Sequence, residues 1–91
     1  MTVVFEDSDI LKKICGPNDE NIKELGEGLN TKIFLKGNTI SFEHDDDIEL
    51  TSSFTRIIDI LRELAKQGRD IDPAQVRLLI QAQKESENFI S

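Results

Sequence analysis

Lys32-Ile33-Phe34-Leu35-Lys36-Gly37-Asn38-Thr39-Ile40-Ser41-Phe42-Glu43 carries the sharpest local signal in this chain. Two runs rich in β-branched and aromatic residues flank a two-residue Gly-Asn connection, and that pattern predicts a β-hairpin. In the second run Ile40 and Phe42 alternate with Thr39, Ser41 and Glu43, so this strand is predicted to have one wet face. In the first run Ile33 and Leu35 point opposite to Phe34, and the pattern alone leaves open which side Phe34 takes.

Outward from the hairpin, both flanks read as helices. Toward the N-terminus, Thr2-Val3-Val4-Phe5 reads as a further strand. Asp7 or Ser8 then offers an N-cap for a short helix whose apolar face is Ile10, Leu11 and Ile14. Gly16 and Pro17 stop that helix. Asn18 or Asp19 offers a cap for a second helix bearing Ile22, Leu25 and Leu29. Gly26 and Gly28 each cost about 1 kcal/mol in a helix interior. An early end is therefore expected, with Asn30 in a left-handed conformation.

Toward the C-terminus, Asp45-Asp46-Asp47 opens a longer helix with Leu50, Phe54, Ile57, Ile58, Leu61, Leu64 and Ala65 at helical spacing, closed by Gly68. Ile71-Asp72-Pro73-Ala74-Gln75-Val76 is a dense start signal. Asp72 is the N-cap, Pro73 takes the first helical position, Gln75 completes a capping box, and Ile71 with Val76 forms a hydrophobic staple. The last helix is predicted to reach Lys84, with fraying beyond it. The expected organisation is one module over residues 1–84 and the start of a linker over 85–91. The fold class is α+β: a three-stranded sheet with helices on one face.

Composition narrows the function classes. Of 91 residues 37% are apolar and 32% charged, which fits one small globular domain rather than a disordered or membrane-embedded chain. There is no signal-peptide pattern at the N-terminus, and the single cysteine, Cys15, excludes an internal disulfide framework; both readings point to the cytoplasm. The net charge is −7. All of it lies in residues 1–50, where 5 lysines face 12 acids. That balance argues against a domain that binds nucleic acid by charge alone.

The order strand–helix–helix–strand–strand–helix resembles a type I KH domain, with one extra C-terminal helix. KH domains clamp single-stranded nucleic acid through a GXXG loop between their first two helices. The matching loop here is Gly16-Pro17-Asn18-Asp19, with Asp in place of the second Gly. Three separated segments resemble the N-terminal domain of PhoH-like proteins, a family of phosphate-starvation-linked P-loop ATPases of bacteria: Phe5-Glu6-Asp7, residues 15–25 around Cys15-Gly16-Pro17-Asn18-Asp19-Glu20-Asn21-Ile22, and residues 68–76 ending in Asp72-Pro73-Ala74-Gln75-Val76. The resemblance implies an accessory module of an ATP-binding protein involved in RNA metabolism. ATP and Mg would belong to an ATPase domain downstream. This chain needs no cofactor on that reading and is not itself the enzyme. Its glycines, at 16, 26, 28, 37 and 68, begin no Walker A pattern.

On the KH-like reading the candidate nucleic-acid contacts are Lys12, Lys13, Gly16, Pro17, Asn18, Asn21, Lys23, Lys32 and Lys36. The lysines would form a basic track along one groove, and single-stranded RNA is the expected partner. The plainer reading of residues 16–21 is a junction whose residues only cap helices, and that of the lysines is ordinary solvated charge. A second functional reading is a docking module for the ATPase domain or for other subunits. No membrane contact is expected, and no catalytic residues are assigned. Glu43-His44-Asp45-Asp46-Asp47 lacks the ligand spacing of a calcium or zinc site and reads as a strand end followed by capping acids, so no metal ligand is assigned. Cys15 reads as a small core residue.

Overall fold

The computed structural model describes residues 2–43 and 46–90, with side chains through residue 85. His44 and Asp45 lie outside the described residues. The order is β1 (Thr2–Val4), α1 (Ser8–Cys15), a short 3₁₀ turn (Pro17–Asp19), α2 (Glu20–Leu29), β2 (Ile33–Lys36), β3 (Thr39–Phe42), α3 (Ile48–Lys66) and α4 (Pro73–Ile90). The class is α+β, as the sequence predicts. The three strands form one antiparallel sheet in the order β1-β3-β2, which leaves β2 as an edge strand.

The hairpin forms at Gly37-Asn38 with Lys36 opposite Thr39, Leu35 opposite Ile40, Phe34 opposite Ser41 and Ile33 opposite Phe42. Gly37 has φ 59° while Asn38 is not left-handed, which is the type II′ arrangement with glycine first. Two contacts fasten this turn to the end of β1: the Phe5 N–H donates to the Asn38 carbonyl, and Asn38 Nδ2 donates to the Phe5 carbonyl, both at 2.9 Å. Val3, Ile33, Leu35, Ile40 and Phe42 face the helices. Thr2, Val4, Phe34 and Lys36 share the other face by register, with Val4 and Phe34 exposed. Phe34 therefore resolves outward.

Buried residues of every helix and of the inner face of the sheet belong to one core cluster. Ile14, Leu25, Phe54, Ile57, Leu61 and Val76 are all fully buried, and Phe42 stacks at a tilt on Phe54 with ring centroids 4.7 Å apart. α1 packs on α3, and α2 packs on α4. α2 ends at Leu29 with Asn30 left-handed, as the sequence predicts, and close packing uses both of its glycines. A Cβ at Gly28 would collide with the buried Ile80 of α4, and one at Gly26 would press on the Thr31 carbonyl at 3.0 Å. Asn30 takes φ 54°, and the Thr31 and Asn30 N–H groups donate to the Gly26 and Glu27 carbonyls as in a Schellman motif.

The caps of α1, α3 and α4 follow the sequence. The Asp7 carboxylate accepts from the Asp9 N–H, the Asp47 carboxylate from the Leu50 N–H, and Asp72 and Gln75 exchange reciprocal bonds of 2.9 and 3.1 Å. The backbone of α4, predicted to reach Lys84, is helical to Ile90. Among the described residues no helix is long and apolar enough to cross a membrane.

Candidate nucleic-acid groove

The junction between α1 and α2 departs from the cap rules that settle the other helix ends. Gly16 has φ 74° and ψ 176°, a region closed to most L-residues. Asn18 and Asp19 both adopt left-handed backbone, at φ 54° and 57°. Asp19 stands at the N-cap of α2, yet its side chain caps nothing. This corrects the expectation that Asn18 or Asp19 serves as an Asx cap. A side-chain cap normally pairs with extended backbone, and the left-handed conformation turns the carboxylate away from the helix N–H groups.

Asn21 is also reassigned. Proposed from sequence as a nucleic-acid contact, it is 1% exposed and therefore out of reach of a ligand. Its Nδ2 donates 3.0 Å bonds to the Ile14 carbonyl at the end of α1 and to the Ile71 carbonyl before α4. A Cβ at Gly16 would lie 2.7 Å from this Nδ2, so Gly16 is needed for close approach as well as for its φ. Together Gly16 and Asn21 hold the junction against the body of the protein.

Facing the junction is the open edge of β2. In a hairpin closed by a two-residue turn the pair beside the turn exchanges hydrogen bonds, and bonded pairs then alternate. Lys36 and Phe34 therefore bond to β3, while the peptide N–H and C=O groups of Leu35 and Ile33 point to the open edge. Those two residues line two cavities. The first, of about 230 Å³, lies between the end of α1, the junction and the hairpin, and is lined by Leu11, Lys12, Cys15, Asp19 and Leu35 among others. The second, of about 570 Å³, lies along α2 and is lined by Ile22, Lys23, Gly26, Lys32 and Ile33, with Glu27 and Glu43. On α2 the second begins one helical turn beyond the first. On β2 it begins two residues away, roughly 7 Å at strand rise. The two share no lining residue, but they are neighbours along α2 and the edge of β2, and together they make the candidate groove.

The groove gathers Lys12, Gly16, Lys23 and Lys32 of the sequence candidates. Lys13 and Pro17 line a separate cavity, shared with Lys12 and Gly16, on the side of the junction facing Asp70 and Ile71. Asn18 is exposed at the tip of the junction. Lys36 sits on the outer face of the sheet. The lining is not purely basic, because Lys12 shares its cavity with Asp19, and Lys23 and Lys32 share theirs with Glu27 and Glu43. Among the described residues none of these three lysines is tied up in an ion pair; Arg77 with Glu24 of α2, at 2.6 Å, is a pair on the α4 side.

Cys15 is buried at the floor of the first cavity. Burial, and secondarily the Asp19 carboxylate, push its thiol up from the ordinary 9.0 to about 11. It is neutral at physiological pH and presents an apolar wall rather than a nucleophile. Sequence reasoning did not assign Leu35 or Ile33 to the site, and it placed Asp19 in the candidate loop without a contact role. The type II′ turn contained the signal for the first two, since it fixes which peptide groups face outward. No protein-family model, curated protein or solved structure matches this chain.

Proposed function

We propose that this chain is a KH-like module of a PhoH-like ATP-binding protein and that its groove takes single-stranded RNA. The observation that carries this reading is the opposition of two features across one groove: a tight, glycine-initiated, left-handed junction between the first two helices, and the open peptide edge of β2. A single strand offers phosphates to the first and unpaired base edges to the second. A duplex has its pairing edges engaged and cannot present them to such a strand. The element order and the family-like segments at residues 5–7, 15–25 and 68–76 support the family assignment. ATP and Mg belong, on this reading, to a separate P-loop domain.

With lysines and acids mixed in both cavities, the electrostatic contribution is small, and dissociation constants on the order of 10⁻⁵ M are expected at low salt. Anisotropy titration of a short labelled single-stranded RNA tests this. Replacing Lys12, Lys23 and Lys32 together by Glu abolishes the binding, while Lys36→Glu on the outer face leaves it. Absence of binding at high micromolar protein, or indifference to the triple replacement, defeats the reading.

A second reading, docking to the ATPase domain or to another subunit, draws on the outer sheet face, where Val4 and Phe34 are 59% and 45% exposed. Comparing the assembly state of the parent protein with and without residues 1–91 separates the two. A change on removal supports docking, and an unchanged assembly excludes a role in it.

A further inference from the structure

The smaller cavity at the junction end of the groove has a chemistry of its own. Resting on the reading of the groove as an RNA site, we infer that Lys12 and Asp19 make this cavity selective for a guanine base. Its volume of about 230 Å³ is below the roughly 300–1,000 Å³ usual for drug-sized ligands and suits one planar ring system. Leu11, Leu35 and the neutral thiol of Cys15 supply apolar walls for the ring faces. The cavity carries one cation and one anion, Lys12 and Asp19.

Asp19 is free to act as an acceptor. Among the described residues it neither caps α2 nor joins an ion pair. A carboxylate presents two acceptor oxygens side by side and no donor. Of the four RNA bases only guanine offers two adjacent donors, N1–H and the 2-amino group, on its pairing edge. Cytosine and adenine place a ring-nitrogen acceptor beside their amino group, and uracil flanks its single N–H with two carbonyls. Each of those would set a lone pair against a carboxylate oxygen. Guanine also carries O6 and N7, the acceptors most often taken by a basic side chain, and Lys12 supplies that cation. A phosphate in the same place would face Asp19 with like charge, so the acid that replaces the second glycine of a GXXG loop changes what this end of the groove selects.

The test compares three labelled strands at low salt: heptauridine, the same strand with a central guanosine, and the same strand with a central inosine, which keeps N1–H and O6 but lacks the 2-amino group. Wild type is expected to bind the guanosine strand roughly tenfold more tightly than heptauridine, and inosine is expected to lose most of that gain. Asp19→Gly, which suits the left-handed backbone, and Asp19→Asn, which keeps the shape, are each expected to bring the three strands within about twofold of one another. Circular dichroism checks that both variants remain folded. Free guanosine monophosphate offers the same edge. Competition by it at the affinity of the strand would make a free nucleotide the source of the guanine, and competition only at much higher concentration would make it the RNA.

Equal binding of the guanosine strand and heptauridine by wild type overturns the guanine inference and leaves the groove reading standing. A uniform tightening of all three strands in Asp19→Gly also overturns it, since Asp19 would then act only by repelling phosphate. Failure of all three strands to bind defeats the groove reading and this inference with it.

Discussion

Two junctions join helices in this protein, and they solve the same problem in opposite ways. Between α3 and α4 every residue follows a local rule. Gly68 is left-handed at φ 78°, its N–H donates to the Ala65 carbonyl and the Arg69 N–H to the Leu64 carbonyl, which is a complete Schellman motif. Asp72 and Gln75 then close a reciprocal capping box around Pro73. Between α1 and α2 there is a Gly and a Pro as well, but two non-glycine residues are left-handed, the carboxylate at the N-cap position caps nothing, and the segment is held from below by the buried Asn21. One junction is capped by its own residues and takes one bond from outside, at the Ile71 carbonyl. The other is held in a less favourable conformation by tertiary contacts, and it is the one that faces a groove. On the proposed RNA-binding reading, this strain is kept for a ligand rather than for stability. The two junctions also touch, since Asn21 bonds to the Ile71 carbonyl of the second.

The largest effect expected from breaking this contrast comes from Asn21→Ala. It removes two buried hydrogen bonds and leaves the Ile14 and Ile71 carbonyls without that donor, at a cost of about 2–4 kcal/mol. Chemical denaturation reads this directly, and a loss under about 1 kcal/mol would mean that the first junction does not depend on its buried support.

Next in size is a pH effect. The folded-state pKa of Cys15 is raised from 9.0 to about 11. The stability this contributes is fully present below pH 9, where the thiol is protonated in both states. It is lost as pH rises from 9 to 11, because the unfolded chain ionises first. The loss is about 2–3 kcal/mol. The difference in unfolding free energy between wild type and Cys15→Ala isolates it from the lysines that titrate nearby. A flat difference across that window would show that the thiol is not held in the apolar wall of the cavity.

The smallest pair of effects sharpens the comparison by sign. Asp72→Ala at the locally satisfied junction removes a working cap and destabilises by about 1 kcal/mol. Asp19→Gly at the strained junction removes a left-handed non-glycine residue that caps nothing, and leaves stability unchanged or raises it by up to about 1 kcal/mol. Equal destabilisation by the two would erase the distinction between the junctions.

The same contrast separates what the residues disclose from what they do not. The capping box at Asp72, the type of connection at Gly37-Asn38 and the left-handed Asn30 depend on neighbours within a few positions, and each is legible in the sequence. So are most of the core positions of α3, from Phe54 to Ala65, through their helical spacing. The roles of residues 18–21 are not. Three of these four are Asn or Asp, which satisfy a cap rule on paper as well as they satisfy a turn or a buried amide. Asn21 takes one partner from the end of α1, the Ile14 carbonyl, and the other from Ile71, fifty residues away. The purpose of the glycines in α2 is hidden for a related reason: propensity counts them only as a cost, whereas the closeness of Ile80 makes Gly28 a packing requirement.

The sequence by itself determined the α+β class, the element order, the hairpin and the ends of most helices, because hydrophobic period, turn chemistry and capping act over a few residues. The tertiary structure alone decided which lysines share a groove, that Lys36 and Phe34 face the opposite side, that Asn21 is a buried fastening, and that Asp19 looks into a cavity with Leu35. Those facts depend on how α1 and α2 meet the edge of β2, a placement fixed by burying Ile14, Ile22 and Leu25 against residues that follow them in the chain by many turns.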